Sequence, residues 1–221
     1  MKKLVTLLCF LMPLILCTAV LGKVESLSGR VKSLEPIIGS RPTKIKNVEE
    51  LKNKYIGLKA ELDSLLSKSP NDQNLLFMRG HLQKMGHNFG YSGAWQGASA
   101  DLRLLLKLNP NNVPALIELA GLWLDYPDMA PEAEKLYRTA QCKYGSQPLE
   151  EAQRGLFFAF YYQGKFIKAF RQSGYLKKTW SQDAQYQRIN DIAHGVIVKN
   201  NLEDEVEKIS TDDLVMTGCK D

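Results

Sequence analysis

Apolar residues recur along most of this chain at intervals of three and four, and short polar breaks built around proline interrupt that rhythm. The stretch "KLNPNNVPALIELAGLWL", Lys107 to Leu124, opens with such a break at Asn109–Asn112 and then places Leu116, Leu119, Ala120 and Trp123 on one helical face. Earlier, "SKSPNDQNLLFMRG" from Ser67 carries the same Pro-Asn-polar break ahead of an apolar run. After "YPDMAPEA", Ala133, Tyr137 and Ala140 continue the three-to-four spacing, and Pro131 falls where a first helical turn tolerates it. The pattern therefore predicts a helical hairpin. Ala120 facing Ala133 would let the two axes approach closely, with Trp123 and Tyr137 filling the space beside them.

Two further segments share the pattern. From Gln73 to Pro110 the chain carries Leu76, Gly80, Ala98, Leu102 and Pro110, with extra residues in "MGHNFGYSGAW" that lengthen the turn between its helices. From Glu150 to about Trp180 it carries Leu156, Phe157, Phe160, the turn "QGKF" and Ala169, with the bulky Phe157 where the other copies place a small residue. Ahead of these copies, "NVEELKNKYIGLKAELDSLLSKSPND" reads as one long helix. Asn47 and Glu50 form its capping box, and Val48, Leu51, Tyr55, Leu58, Leu62 and Leu65 form its apolar stripe. Its end resembles the second half of a hairpin whose first half is missing, which suits an end cap. Behind them, Tyr186, Ile189, Ala193 and Val196 define a closing helix. No strand-like alternation competes.

Bulky, small and aromatic positions on a first helix, then Ala and an aromatic on a second, closed by proline, resemble the tetratricopeptide repeat family. Residues 113–147 match best, with Ala120 in place of the usual glycine, and the likeness covers roughly residues 48 to 198. It departs from the pattern at Arg79, Gln83 and Phe157. The resemblance implies an all-α, right-handed α-solenoid of three such hairpins with capping helices at both ends. It also implies that first helices line a concave groove. On that basis the groove residues are Asn74, Phe77, His81 and Lys84 in the first copy, Ile117, Gly121, Leu124 and Asp125 in the second, and Arg154, Phe158, Tyr161 and Tyr162 in the third.

The first 22 residues read differently. Lys2 and Lys3 precede an uncharged apolar run from Leu4 to Gly22, the chemistry of an export signal. A cleaved signal peptide, an uncleaved anchor and a lipid-modified Cys17 in "LILC" are all open, and all three place the body outside the cytoplasm, in the periplasm, the cell envelope or the medium. The expected organisation is thus a signal or anchor over 1–22, a Gly-, Ser- and Pro-punctuated linker or strap over 23–46, a repeat domain over 47–200 and an acidic tail over 201–221.

Composition excludes more than it assigns. With 44% hydrophobic and 24% charged residues in 221, the chain can bury a sizeable core. The net charge of +5 includes the two lysines of the leader, and elsewhere Lys and Arg alternate with Glu and Asp, so no basic stripe for nucleic acid appears. Outside the leader only Cys142 and Cys219 remain, either as one disulfide that ties the tail to the body or as two separate thiols. His81, His87 and His194 lack metal-ligand spacing, and no cofactor motif is present. Ser92 among glycines in "GHNFGYSGAW" suggests a hydrolase nucleophile, but the final glycine of the elbow motif is missing and no strand precedes it. Without an assembled catalytic set, the expectation is a non-catalytic scaffold that binds a segment of another exported or membrane protein during assembly or maturation. Arg154 and Lys84 would then receive an acidic group or a chain terminus. A pilotin-like or cytochrome-assembly-like factor, anchored or lipidated, is the alternative at the level of analogy. Packing of the strap or the last helix into the groove would instead make the groove residues plain core.

Overall fold

A computed structural model describes residues 27–39 and 47–206. Regular structure within them is helical, and no strand occurs among the described residues. The main helices are α1 (Val48–Lys68), α2 (Gln73–Asn88), α3 (Ala94–Leu108), α4 (Val113–Trp123), α5 (Ala130–Tyr144), α6 (Glu150–Tyr162), α7 (Phe166–Thr179) and α8 (Ala184–Lys199). Residues 27–32 and Glu35–Ile38 form short helical pieces before α1, Pro127–Met129 forms a 3-10 turn before α5, and Glu203–Val206 forms one turn after α8. The expected leader, 1–22, and most of the tail lie outside the described residues. Backbone contacts divide the chain into two compact units, residues 1–97 and 98–221, with the division inside α3. The repeat region expected over 47–200 therefore contributes to both units.

In the first unit, α1 and α2 pack against each other. Asp72 caps α2, its carboxylate accepting from the backbone N–H of Asn74 at 2.9 Å and Leu75 at 3.0 Å. The expected capping box at Asn47 does not form on the backbone. The Asn47 amide instead donates to the Glu50 carboxylate at 3.2 Å, and Lys54 pairs with the same carboxylate. The buried stripe of α1 is Leu51, Tyr55, Leu58, Leu62 and Leu66, so Leu66 replaces Leu65 and Val48 is half exposed. Leu65 and Leu66 lie about equally far from the centre of that stripe, on opposite sides, so periodicity alone could not choose between them.

The segment ahead of α1 is a packed strap. Leu27, Val31, Leu34 and Ile38 are all buried, and Glu35–Ile38 contacts α2. Their four-three-four spacing presents one apolar edge over two short helical pieces. Asn88 at the end of α2 donates to the carbonyl of Gly39 at 2.9 Å, fixing the strap's far end.

The second unit builds consecutive contacts: α4 with α5, α5 with α6, α6 with α7, and α7 with α8. The first helices α4 and α6 also touch directly. Asn112 caps α4 through the N–H of Ala115 at 3.0 Å, and Pro114 and Pro131 sit in first turns, as their positions in the sequence suggest. Ala120 and Ala133 are fully buried in a core that includes Tyr137, Leu156, Phe157, Phe160, Ala169, Leu176 and Tyr186. Each large apolar side chain buried there contributes about 1.5–3 kcal/mol relative to leaving it in water. On α8 the buried stripe is Tyr186, Ile189, Ala193 and Ile197, one position beyond the expected Val196.

Close approach between α5 and α6 comes from an unexpected residue. Phe157 is buried where a small residue was expected, and Gly155, two positions earlier, receives the Tyr137 ring. A Cβ added at Gly155 would lie 2.2 Å from the Tyr137 ring carbon that carries the hydroxyl. A polar chain reinforces the same junction. Buried Gln141 donates to the carbonyls of Gly145 and Gln147, and its own carbonyl accepts from the Leu149 N–H at 2.8 Å and the Gln153 amide at 2.7 Å. Gln172 on α7 donates to the Gln153 side chain at 2.8 Å, so three successive helices are joined through glutamines.

Two glycine substitutions should therefore move stability in opposite directions. Gly155→Ala forces a methyl into the Tyr137 ring and should cost about 1–3 kcal/mol in urea unfolding. Gly195→Ala, on α8 with nothing within 4 Å of the added carbon, should gain about 0.5–1 kcal/mol. A neutral Gly155→Ala would show that the ring does not sit there.

Candidate functional site

The faces of α4 and α6 in the second unit combine exposed apolar surface with a charged cluster. On α4 and its cap, Ile117, Glu118, Gly121, Leu124 and Asp125 fall within one arc of the helical wheel, and on α6 Glu150, Arg154, Phe158, Tyr161 and Tyr162 do the same. Ile117, Leu124, Phe158 and Tyr161 are partly buried and rest on the core cluster, while Tyr162 is 44% exposed. These helices start where they do for local reasons. Asn112 caps α4. Gln141 takes the Leu149 N–H at the start of α6, where Glu150 and Glu151 complement the positive end of the helix.

Adjacent residues on α6 diverge. Phe157 turns into the core and Phe158 outward, the two rings meeting edge to face at 5.0 Å between centroids. Phe158 stacks near Tyr162 at 6.4 Å, Tyr162 meets Tyr161 at 5.9 Å, and Tyr161 meets Phe166 of α7 at 5.8 Å. The result is a connected aromatic band rather than isolated surface rings.

The charges converge on two tyrosine hydroxyls. Burial pushes the Tyr137 hydroxyl far above its ordinary range. Glu118 and Asp125 add to that shift, and Arg154 opposes it. Tyr186 of α8 donates to the Glu150 carboxylate at 2.5 Å. Its pKa is pushed up to about 12, first by burial and then by Glu150, while Arg154 counters the shift. Arg154 thus acts on both tyrosines in the direction opposite to the carboxylates.

In the first unit Asn74, Phe77, His81 and Lys84 share a stripe of α2. Asn74 is exposed, and the other three are partly buried. Phe77 and His81 stack with their planes 4° apart, and His81 Nε2 meets the Glu35 carboxylate of the strap at 3.0 Å. The strap thus engages one residue of this stripe, His81, through Glu35. The expected site residues form two groups, one in each unit.

Other candidates resolve simply. Ser92 is exposed in the α2–α3 turn between Gly90 (φ 84°) and Gly93 (φ 72°), with helices on both sides, so the strand-to-helix elbow is lacking. Among the described residues no group of His, Cys, Asp and Glu could hold a metal ion, and no helix is long and apolar enough to cross a membrane. Cys142 is disulfide-bonded, and Cys219 lies outside the described residues. Glu134, on α5, receives Gln163, Lys165 and Arg138. Burial alone would raise its carboxyl, but these hydrogen bonds win and hold it below the usual range.

Sequence reasoning missed Glu118, Glu150, Tyr137 and Tyr186 as parts of this site. Glu118 sits three residues from Gly121 and Glu150 four from Arg154, at spacings that share a face, and that signal was readable. The ring contact of Tyr137 and the hydroxyl contact of Tyr186 depend on neighbouring helices and carry no local signal.

Tyr55, Tyr137 and Tyr186 are all kept neutral by folding. Their contribution is fully present below the unfolded tyrosine pKa of about 10 and is lost as pH rises through the higher folded values. Absorbance titration should show a tyrosine class that ionises only together with unfolding, above about pH 11, and Tyr186→Phe should shrink that class. Complete ionisation of all tyrosines near pH 10, with the protein still folded, would contradict the site geometry. No family model, curated protein or solved structure matches the chain.

Proposed function

We propose that this chain is a non-catalytic binding scaffold that holds a segment of another protein against the α4–α6 face. The supporting observation is the aromatic and aliphatic band of Ile117, Leu124, Phe158, Tyr161 and Tyr162, left partly or largely exposed above a core that already buries Phe157 and Phe160. Apolar surface gathered beside charge is the composition of a recognition patch, and rings such as Phe158 and Tyr161 supply contact area at little conformational cost. A stack of helical hairpins of tetratricopeptide type, right-handed and capped at both ends, accounts for the ordered pairs α4–α5 and α6–α7 and for the direct contact of the first helices α4 and α6. The basic head and apolar run of residues 1–22 support action outside the cytoplasm, on an exported or membrane protein during its assembly or maturation. Recognition proceeds without turnover: the partner's apolar side chains cover the band, and water is released from it.

Photo-crosslinking tests this reading. A photoreactive phenylalanine analogue at Phe158 or Ile117, in cells making the full chain, should yield one dominant protein adduct. The same analogue at Tyr144, exposed on α5, should not. Identical adduct patterns at all three positions would remove the face as a specific binding site.

A further inference from the structure

The side chains of α7 are charged in one sense only. From Phe166 to Thr179 the helix carries Lys168, Arg171, Lys177 and Lys178 and no Asp or Glu. Lys177 and Lys178 complement the negative end of the helix, but Lys168 sits in its first turn, where a cation opposes the helix dipole. Arg171 and Lys178, seven positions apart, lie on the side opposite the buried Ala169, Gln172, Ser173 and Leu176. The three lysines are exposed, whereas the Arg171 Nε is buried with no hydrogen-bond partner among the described residues. A guanidinium N–H kept from water without an acceptor is costly, so this side of α7 suits a negative group laid across it.

The end of the chain supplies one. Residues 203–221, "EDEVEKISTDDLVMTGCKD", hold seven Asp or Glu against two Lys, a net charge of −5. Their first turn already meets α7, because Arg171 donates to the carbonyl of Val206. Cys142, near the end of α5, is disulfide-bonded, and the other cysteines of the chain are Cys9 and Cys17 in the apolar leader and Cys219 in this acidic segment. Gln141 and Gln172, the sequence neighbours of Cys142 and Arg171, are joined through Gln153 by hydrogen bonds of 2.7 and 2.8 Å. The chain from Val206 to Cys219 can reach about 45 Å when extended, far more than that short bridge of side chains requires. Asp212 and Asp213 fall at the middle of this span.

We propose that residues 207–221 lie across the outer side of α7 and are closed onto α5 by a Cys142–Cys219 disulfide, with the carboxylates of the segment meeting Lys168, Arg171 and Lys178. Exposed ion pairs are individually weak, and the disulfide makes them intramolecular contacts at high effective concentration. Closing the bond by thiol–disulfide exchange passes two electrons and two protons from the two thiols to a small-molecule disulfide, which leaves as two thiols. The basic side of α7 is then filled by the chain itself and offers no seat to nucleic acid or to an acidic membrane.

Mass-spectrometric peptide mapping of the unreduced full chain, combined with hydrogen exchange, tests both halves. The map should link the Cys142 fragment to the Cys219 fragment within one chain. A bond from Cys142 to Cys9 or Cys17, a bond between two chains, or a free Cys142 thiol would overturn the closure and the proposal with it. Amides between Ile209 and Gly218 should exchange about tenfold more slowly than in a synthetic peptide of residues 207–221. Lys168→Gln with Lys178→Gln, both at exposed positions, should remove most of that protection while the disulfide and the slow amides of α6 persist, and about 0.5 M salt should weaken it likewise. Arg171→Gln is the second variant if the first misfolds, with the same loss expected. A segment that exchanges as fast as the free peptide, or one whose protection is indifferent to these substitutions and to salt, would overturn its seating on α7.

Discussion

The ring of Tyr137 lying over the bare backbone of Gly155 joins the fold of residues 98–206 to the chemistry of its face. Without a Cβ at Gly155, α5 and α6 come close enough for the Tyr137 ring to lie against the α6 backbone. A methyl at that position would push the helices apart, and with them Phe157 on the inner side and Phe158 on the outer. The first unit repeats the device with other residues. Tyr55 of α1 lies over Gly86 of α2, where an added Cβ would stand 2.5 Å from the tyrosine oxygen, and Tyr91 stacks on its ring at 4.5 Å. In both places a large ring lies against a helix at a glycine, where a Cβ would forbid the close packing.

Much of the helical order was legible because it depends on local spacing. Pro110, Pro131 and the Pro70–Asn71–Asp72 break mark helix starts by chemistry that needs no tertiary knowledge, and Leu116, Leu119, Ala120 and Ala133 follow from period alone. The strap was harder to read. Leu27, Val31, Leu34 and Ile38 have helical spacing, but Gly29 and Pro36 among them suggested a tether, and contact with α2 together with the Arg30–Glu61 ion pair to α1 makes the short pieces worth folding. The glutamine chain was invisible. Gln141, Gln153 and Gln172 resemble any surface glutamine in sequence, and their burial reflects a requirement set by three helices at once: loop carbonyls and the Leu149 N–H must find partners away from water.

The face itself was partly legible. Ile117, Leu124, Phe158, Tyr161 and Tyr162 were marked by their offset from the packing stripe, and they stand at the surface of the core in the second unit. The electrostatics were not legible, because the opposed effects of Arg154 and the carboxylates on Tyr137 and Tyr186 depend on neighbouring helices. In the first unit Phe77 and His81 had the same sequence signature as the outer residues of α4 and α6, yet the strap lies on them through Glu35. An offset apolar residue thus marks a surface that something covers, and only tertiary structure shows whether the cover belongs to the chain.

Whether the α4–α6 face is open to a partner in the full chain is the point on which the functional account turns. Hydroxyl-radical footprinting with residue-level mass spectrometry measures it directly on the intact protein. The account predicts ready oxidation of Phe158 and Tyr162 beside protected Phe157 and Phe160, and protection of Phe158 and Tyr162 equal to that of Phe160 would contradict it.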